Sequence, residues 1–214
     1  KALKIFEKLG DDVKISNVLK SIGIYYFGRG DYAPALDYYT RSLKLKEELG
    51  DQYGVGTVLN CIGGIYWCLG DYVKCRNYYE RSFQIVESIN HETGIAIANS
   101  NLGVLSFTNK KYVKSIEYLK ISLSIIKDRD PSLKLYSIVW LNLAYKQLGK
   151  KYKKREIINM IKEVTYKIDF EFNYQLYQLL DNKSYLGTAY NQVQERASAM
   201  SDGAKFLSYP IPKA

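Results

Sequence analysis

The sequence has few of the residues and segments on which several classes of protein depend. It contains one histidine and three cysteines in 214 residues, and no stretch approaches the roughly 18–20 consecutive apolar residues of a membrane-spanning helix. The N-terminus lacks the apolar core of a secretory signal. The sequence contains no nucleophile elbow, glycine-rich phosphate-binding loop or closely spaced set of metal ligands. We therefore expect no enzyme activity, no cofactor, no bound metal ion and no membrane partner.

What the chain does have is an excess of positive charge in its second half. Residues 1–100 contain 12 basic and 12 acidic residues, whereas residues 101–214 contain 19 and 10, within a net charge of +9. The excess peaks in a candidate patch for an acidic partner: Lys146, Lys150, Lys151, Lys153, Lys154 and Arg155. Such a patch suits an acidic surface or nucleic acid. A solvated turn and helix start is the more ordinary interpretation.

The chain also repeats itself at a fixed period. The same tripeptide position holds Gly30-Asp31-Tyr32, Gly70-Asp71-Tyr72, Lys110-Lys111-Tyr112 and Lys150-Lys151-Tyr152. A 40-residue period indicates stacked supersecondary units, none of which can bury its apolar face alone. Stacks of this kind present an extended concave surface to a partner, so the repeat favours a binding scaffold.

Each 40-residue unit divides into two helical patterns. Apolar residues recur at three- and four-residue steps in residues 12–28 and again in residues 32–49. Between them, Gly30-Asp31 predicts a turn, because glycine adopts the left-handed conformation at a helix end and aspartate caps the next helix. Small residues predict a close crossing of the two helices: Gly23, Gly63 and Gly103 on the first helix, and Ala35, Cys75 and Ser115 on the second.

The cysteines and the histidine have structural interpretations within this repeat. The three cysteines lie seven residues apart, at Cys61, Cys68 and Cys75. Metal sites need closer pairs, so we expect reduced structural thiols, which suit a cytoplasmic protein. His91 takes the position that Asp11 and Asp51 hold in other units. It is therefore expected to be a solvent-facing helix cap.

Specific residues in these units carry a family resemblance. The run Leu19-x-x-Ile22-Gly23-x-x-Tyr26, continued by Gly30-Asp31-Tyr32-x-x-Ala35 and Tyr39-x-x-Ser42, resembles the tetratricopeptide repeat. The 40-residue step is similar to the extended repeats of kinesin light chain, Pins-type polarity scaffolds and bacterial peptide-sensing or signalling proteins. The resemblance implies an all-α, right-handed superhelical solenoid of antiparallel helix pairs, with the first helices lining a concave, peptide-binding groove.

The repeat also predicts where the chain divides. We expect the second helix of a truncated repeat in residues 1–10, repeats in 11–50, 51–90 and 91–130, a degenerate repeat in 131–168, a capping helix pair in 169–201 and an extended segment in 202–214. Within the degenerate repeat, helices are expected near 132–148 and 152–168. Because the chain opens on the second half of a repeat, we expect it to be a module of a longer protein.

The resemblance assigns residues to the groove by their positions in the repeat. They are Asn17, Lys20, Ile24, Phe27, Asn60, Gly64, Trp67, Ser100, Asn101, Val104, Phe107, Asn142 and Tyr145. Phe27, Trp67 and Phe107 form an aromatic series at the 40-residue step. We expect Trp67 to face the groove and Tyr66 to point between paired helices. Packing against a neighbouring repeat is the alternative for the aromatics, and hydrogen bonding within the stack is the alternative for the asparagines.

These expectations combine into one preferred function with two alternatives. We expect a scaffold or sensor module that grips an extended or helical apolar segment of a protein or peptide partner. The first alternative is a binder of acidic surfaces or nucleic acid through residues 146–155. The second is a structural spacer without a ligand.

Overall fold

The computed structural model describes residues 2–164 and 168–198, so the predicted extended segment at 202–214 lies outside the described residues. Within those ranges the chain forms α-helices and no β-strand. The helices are α1 (Ala2–Leu9), α2 (Asp12–Arg29), α3 (Tyr32–Glu48), α4 (Gln52–Cys68), α5 (Tyr72–Ser88), α6 (Glu92–Thr108), α7 (Tyr112–Ile126), α8 (Pro131–Gln147), α9 (Lys154–Lys162), α10 (Phe170–Leu180) and α11 (Lys183–Ser198). Consecutive helices pack as antiparallel pairs, such as α2 with α3 and α4 with α5. The predicted all-α class is confirmed.

The described residues form two compact units. The first, unit 1, contains residues 2–98, and the second, unit 2, contains residues 99–164 and 168–198. The division falls within α6. None of the helices in the described ranges combines the length and apolar character needed to cross a bilayer.

The turns between helices in unit 1 use the predicted glycine and aspartate signals. Gly30 has φ 84°, and its N–H donates to the Phe27 carbonyl at 2.9 Å. Asp51 caps α4, because its carboxylate accepts the Gly54 N–H at 2.8 Å. Asp31 differs from the prediction: it makes no side-chain cap, and its carboxylate instead accepts from Arg29 Nε at 3.1 Å. An arginine two residues upstream therefore competes successfully with the helix N–H groups.

Each helix pair in unit 1 is locked by a glycine against a tyrosine ring. A Cβ at Gly23 would lie 2.5 Å from the Tyr39 ring, and one at Gly63 would lie 2.6 Å from the Tyr79 ring. No Cβ tolerates such a distance, so glycine lets the backbone of the first helix rest on the tyrosine of the second. In unit 2, Gly103 meets Leu119 in the same way. The predicted close crossing is confirmed.

A serine hydrogen bond accompanies each of these crossings in unit 1. Ser42 Oγ donates to the Ser16 carbonyl, and Ser82 Oγ donates to the Gly56 carbonyl, both at 2.7 Å. All four residues are buried. Because a buried hydroxyl must find a partner, each serine pins its helix to one register of the neighbouring backbone.

The fourth repeat is less regular than the others. Helix α9 has 9 residues and ends at Lys162, so it is shorter than the predicted helix at 152–168. Its start explains the difference in part, because Lys153 at the N-cap makes no side-chain hydrogen bond and positive charge is unfavourable at a helix N-terminus. Tyr152 lies outside the helix and donates its hydroxyl to the Leu179 carbonyl at 2.7 Å.

Candidate functional site

Several predicted groove residues of unit 1 come together where the first helices α2 and α4 are neighbours. Ile24 on α2 keeps 49% of its surface exposed, and Lys20 is half-buried one turn earlier. Asn60 and Gly64 are half-buried on α4, one turn apart. We call these four residues the first-helix face of unit 1.

Gly64 is the open position on this face. A Cβ built there would contact only the Tyr79 hydroxyl, at 3.9 Å, which is an ordinary van der Waals distance. Its neighbour Gly63 has no such room, because a Cβ there would collide with the Tyr79 ring at 2.6 Å. The two adjacent glycines therefore differ in function: Gly63 permits helix packing, and Gly64 leaves its Cβ position open.

A buried lysine anchors one end of the first-helix face. Lys46, at the end of α3, has a side chain 4% exposed. Its Nζ donates to Asn17 Oδ1 at 2.9 Å and to Asp51 Oδ2 at 2.8 Å, so it ties α2 to the start of α4. Asn17, a predicted groove residue, thus uses its side-chain oxygen in an internal hydrogen bond, although the residue itself is exposed.

The same cluster perturbs the ionisation of its members. Burial raises the pKa of Asp51, but hydrogen bonds from Lys46 and the Gly54 N–H, with the charges of Lys46 and Lys20, hold that pKa below its ordinary value. Burial raises the pKa of the Cys61 thiol, while Tyr39 and the charge of Lys20 oppose the rise. Lys20 is therefore electrostatically coupled to both Asp51 and Cys61, whereas Cys61 is held as a neutral thiol.

Sequence reasoning missed the Lys46–Asp51 pair, although a signal was present. Lys46 stands in the repeat position that Val86 and Ile126 occupy, and both of those residues are buried, at 2% and 1% exposure. A lysine at an apolar register position needs a partner. Asp51, five residues along, was assigned only as a helix cap.

The aromatic series is more buried than the groove prediction requires. Trp67 is 9% exposed, whereas Tyr66 is half-buried and stacks on Tyr78 of α5 with ring centroids 5.4 Å apart. Tyr66 thus faces the paired helix as predicted, but Trp67 is the more buried of the two. Phe27 is half-buried with its ring 6.0 Å from that of Tyr32.

The predicted groove residues of unit 2 fall into two groups. Ser100, Val104 and Asn142 are buried, and two of them hydrogen-bond internally: Ser100 Oγ lies 2.9 Å from Ser137 Oγ, and Asn142 Nδ2 donates to the Ile138 carbonyl at 2.7 Å. These three side chains offer little surface to a ligand.

Half-buried positions form the second group in unit 2: Asn101, Phe107 and Tyr145. The Phe107 ring packs edge-on against Tyr112 and Trp140, with centroids 5.3 and 5.1 Å away. Phe107 therefore links α6 to both α7 and α8, and only part of its ring faces outward.

The predicted basic patch is partly neutralised. Lys146 Nζ donates to both carboxylate oxygens of Asp181 at 3.0 Å and to the Gln178 carbonyl at 2.7 Å. Lys153 pairs with Glu156 at 3.1 Å. The other four members are exposed: Lys150, Lys151, Lys154 and Arg155.

The remaining candidates for chemistry have structural contacts. His91 Nδ1 accepts the Gly94 N–H at 3.0 Å, and its ring stacks on Tyr53 with centroids 4.1 Å apart. It caps α6 as predicted, but it is half-buried. All three cysteines are free thiols. Over the described ranges, the His, Cys, Asp and Glu side chains do not assemble in threes at a metal-binding geometry.

Comparison with known families assigns the central repeats. Residues 54–128 match the sequence model of the tetratricopeptide repeat family. Tetratricopeptide repeats therefore build this part of the chain. The matched segment includes Gly63, Tyr79 and Gly103, which form the glycine-dependent crossings described above. The family is a scaffold fold typical of protein–protein interaction.

Solved structures extend the similarity of fold beyond the matched segment. The apo form of RapI shares 16% identity with a TM-score of 0.67, over 90% of this chain and 56% of RapI. BtubC (BKLC) from P. vanneervenii shares 18% with a TM-score of 0.56, over 95% of this chain and 73% of BtubC. A putative kinesin light chain from Podosopora anserina with nearly identical TPR-like repeats shares 12% identity with a TM-score of 0.54. The similarity covers 87% of this chain and 97% of that protein.

At these low sequence identities, the structural similarity shows a shared fold and gives no information about a ligand. The chain spans little more than half of RapI, at 56% of its length. No curated protein matches the sequence significantly.

Proposed function

We propose that this chain is a protein- or peptide-binding scaffold, acting as an adaptor or sensor module of a larger cytoplasmic signalling protein. Its ligand is an apolar segment, extended or helical, that docks on the first-helix face of unit 1. The observation that supports the proposal is the open Cβ position at Gly64, together with the exposed Ile24 one repeat earlier at the same register position. A scaffold that binds through its fold needs such a surface, and the tetratricopeptide repeat family supplies the precedent for partner binding.

The chemistry of this face suits an apolar side chain held by polar neighbours. Ile24 still exposes 49% of its surface, so covering it would contribute about 1 kcal/mol. Asn60 carries an amide with both donor and acceptor groups, which can serve a peptide unit whatever its side chain. Lys20 adds a cation that favours a carbonyl or carboxylate oxygen of the ligand.

In unit 2, the corresponding proposed contacts are Asn101, Phe107 and Tyr145, because each is half-buried on a first helix. Ser100, Val104 and Asn142 contribute from below, as packing that holds the face in place. We propose the contacts of unit 1 and those of unit 2 as two separate binding surfaces.

The open Cβ position at Gly64 allows a direct experiment. Gly64→Leu should cover the proposed site without disturbing the helix crossing, because the Cβ of the new side chain meets only the Tyr79 hydroxyl, at an ordinary van der Waals distance. A peptide library displayed on phage is selected against the wild-type chain and counter-selected against Gly64→Leu. Peptides that pass should be rich in apolar residues, and calorimetry should show at least about tenfold weaker binding to the variant, the loss of one well-buried contact.

Thermal unfolding shows whether Gly64→Leu weakens peptide binding by blocking the site or by destabilising the fold. Gly64→Leu should unfold at or above the wild-type midpoint, because leucine is a better helix former than glycine. Gly63→Leu is the matched control, which should unfold far earlier because its side chain strikes the Tyr79 ring. Selected peptides that bind Gly64→Leu as well as wild type would place the ligand elsewhere. Failure to select any peptide would favour the spacer function.

A further inference from the structure

We propose a second, separate docking surface in unit 2, formed by the turn between α6 and α7 together with the turn that follows α8, which binds an acidic protein segment bearing one apolar side chain. It does not depend on the first-helix face of unit 1. The surface surrounds a cavity of about 440 Å³ lined by Lys110, Lys111, Tyr112, Val113, Lys114, Glu117 and Leu148.

The cavity joins two turns from different places in the sequence, lysines of the first and Leu148 of the second. Leu148 leads directly into Gly149, Lys150 and Lys151, so two exposed lysines follow within three residues of the cavity wall. The predicted basic patch included only the second turn. The structure extends it by three lysines: Lys110, Lys111 and Lys114.

These lysines are not used for internal ion pairs. Among the described residues, no carboxylate lies within ion-pair distance of Lys110, Lys111, Lys150 or Lys151, in contrast to Lys146 with Asp181. Lys114 lies over the Tyr118 ring at 5.5 Å. Glu117 is the one acidic residue in the cavity wall, so the surface carries a clear excess of positive charge.

The lysines of the first turn, between α6 and α7, are also unfavourable for local stability. Lys110 has φ 58°, a left-handed conformation that the equivalent Gly30 and Gly70 adopt without strain. Lys111 replaces the aspartate of the earlier repeats and gives α7 no side-chain cap. A positive charge at a helix N-terminus opposes the helix dipole as well. These two residues therefore place positive charge in the turn at a cost in local stability.

The apolar part of the cavity decides the class of partner. Val113 is 62% exposed and Leu148 is 37% exposed, which leaves aliphatic surface beside the lysines. A nucleic acid offers phosphates but no aliphatic side chain for this surface, and the Tyr112 ring already packs on Phe107. Binding to a bilayer surface needs a broader apolar face than the one that Val113 and Leu148 provide. Aspartates or glutamates around one leucine or phenylalanine satisfy both features.

The test uses the whole chain and three labelled probes, read by fluorescence polarisation at low and at physiological salt. The first probe is a short peptide of aspartate and glutamate with a central leucine-phenylalanine pair. The second replaces that pair with serine-glycine. The third is single-stranded oligothymidylate, and vesicles of phosphatidylserine mixed with phosphatidylcholine are tested by sedimentation. We expect the first peptide to bind about tenfold more tightly than the second, since burying one apolar side chain is worth about that factor.

Variants then separate this surface from net charge and from folding. Lys110→Gly with Lys111→Asp restores the turn of the earlier repeats, so it should raise the thermal midpoint yet weaken the first peptide about tenfold. Val113→Ser should weaken the first peptide and leave the second unchanged. The control, Lys4→Asp with Lys8→Gln, removes the same net charge from exposed positions of α1 and should bind both peptides as wild type does.

Equal loss of binding in the control would show that net charge alone attracts the peptides and would overturn the proposal. Tighter binding of the DNA or of the vesicles than of the first peptide would overturn it too, in favour of a nucleic acid or membrane partner. Absence of binding to every probe, or no preference for the apolar centre, would equally count against it.

Discussion

The first repeat of unit 1, α2 with α3, and the second, α4 with α5, share a packing scheme but differ where each meets the next repeat. Both rest a glycine on a tyrosine and donate a serine hydroxyl to the facing backbone. After the first repeat, the joint is polar: Lys46 reaches Asp51 and Asn17. After the second, Val86 fills the same position and His91 stacks on Tyr53.

The comparison shows which parts of a repeat are fixed and which are free. A Cβ at Gly54 would meet Lys46 Cδ at 2.7 Å, and one at Gly94 would meet Val86 Cγ1 at 2.8 Å. At both joints, a glycine therefore lets the following helix lie directly against the side chain at this position. The side chain in that space varies, provided that a charged one brings its partner.

The largest expected effect tests the aromatic positions of the two repeats. Trp67→Ala should lower the free energy of unfolding by about 3–4 kcal/mol, because Trp67 is 9% exposed and its removal leaves a cavity. Phe27→Ala should cost about half as much, since Phe27 is half-buried. Urea unfolding measures both. If Trp67→Ala lowered the free energy of unfolding by less than Tyr66→Ala does, Trp67 would be better explained as an exposed ligand contact.

The next prediction exchanges the two joints. Val86→Lys should lower the free energy of unfolding by about 3 kcal/mol, because the second joint places His91, and no aspartate, where the first places Asp51. Adding Thr57→Asn and His91→Asp rebuilds the partners found at the first joint and should recover at least about 1 kcal/mol of this loss. No recovery in urea unfolding would show that the two joints differ in backbone as well as in side chains.

A smaller effect separates the two partners within the polar joint. Asp51→Ala should cost about 2 kcal/mol, because it leaves Lys46 buried with only Asn17 and removes the cap of α4. Lys46→Met should cost less than about 1 kcal/mol, since the position becomes apolar as at Val86 and Asp51, 42% exposed, stays hydrated. The order of the two losses in chemical denaturation is the test, and the reverse order would contradict it.

Sequence patterns predicted the fold well because its signals are local. Gly30 and Asp51 specify turns through their own backbone and side chain, and Gly23 fixes a crossing that recurs in the following repeats. The candidate site was harder to predict, because position in the repeat does not determine burial. Trp67 and Ile24 were both assigned to the groove, yet one is 9% and the other 49% exposed. Neighbouring helices decide such differences.

Irregular elements were predicted least well for the same reason. Helix α9 begins later than expected because its N-terminus carries uncapped lysines and because the Tyr152 hydroxyl donates to the Leu179 carbonyl of α10. The cavity at Lys110 and Leu148 joins the turns of two different repeats, which only the folded chain brings together. The charge excess in the second half of the sequence pointed to this region, but it did not indicate which lysines remain unpaired.

The smallest expected effect is the pH dependence of the polar joint. The pKa of Asp51 lies below its ordinary value of 3.8, so the folded state favours the carboxylate. That contribution is complete above the unfolded pKa and is lost as pH falls through the folded pKa. The difference in free energy of unfolding between wild type and Asp51→Asn should therefore stay constant from pH 7 to about pH 5 and shrink below it. Other carboxylates with lowered pKa values, such as Asp11 and Asp71, are shared by both proteins and cancel. A difference that already shrinks near pH 6 would mean that burial, which raises the pKa of Asp51, outweighs Lys46.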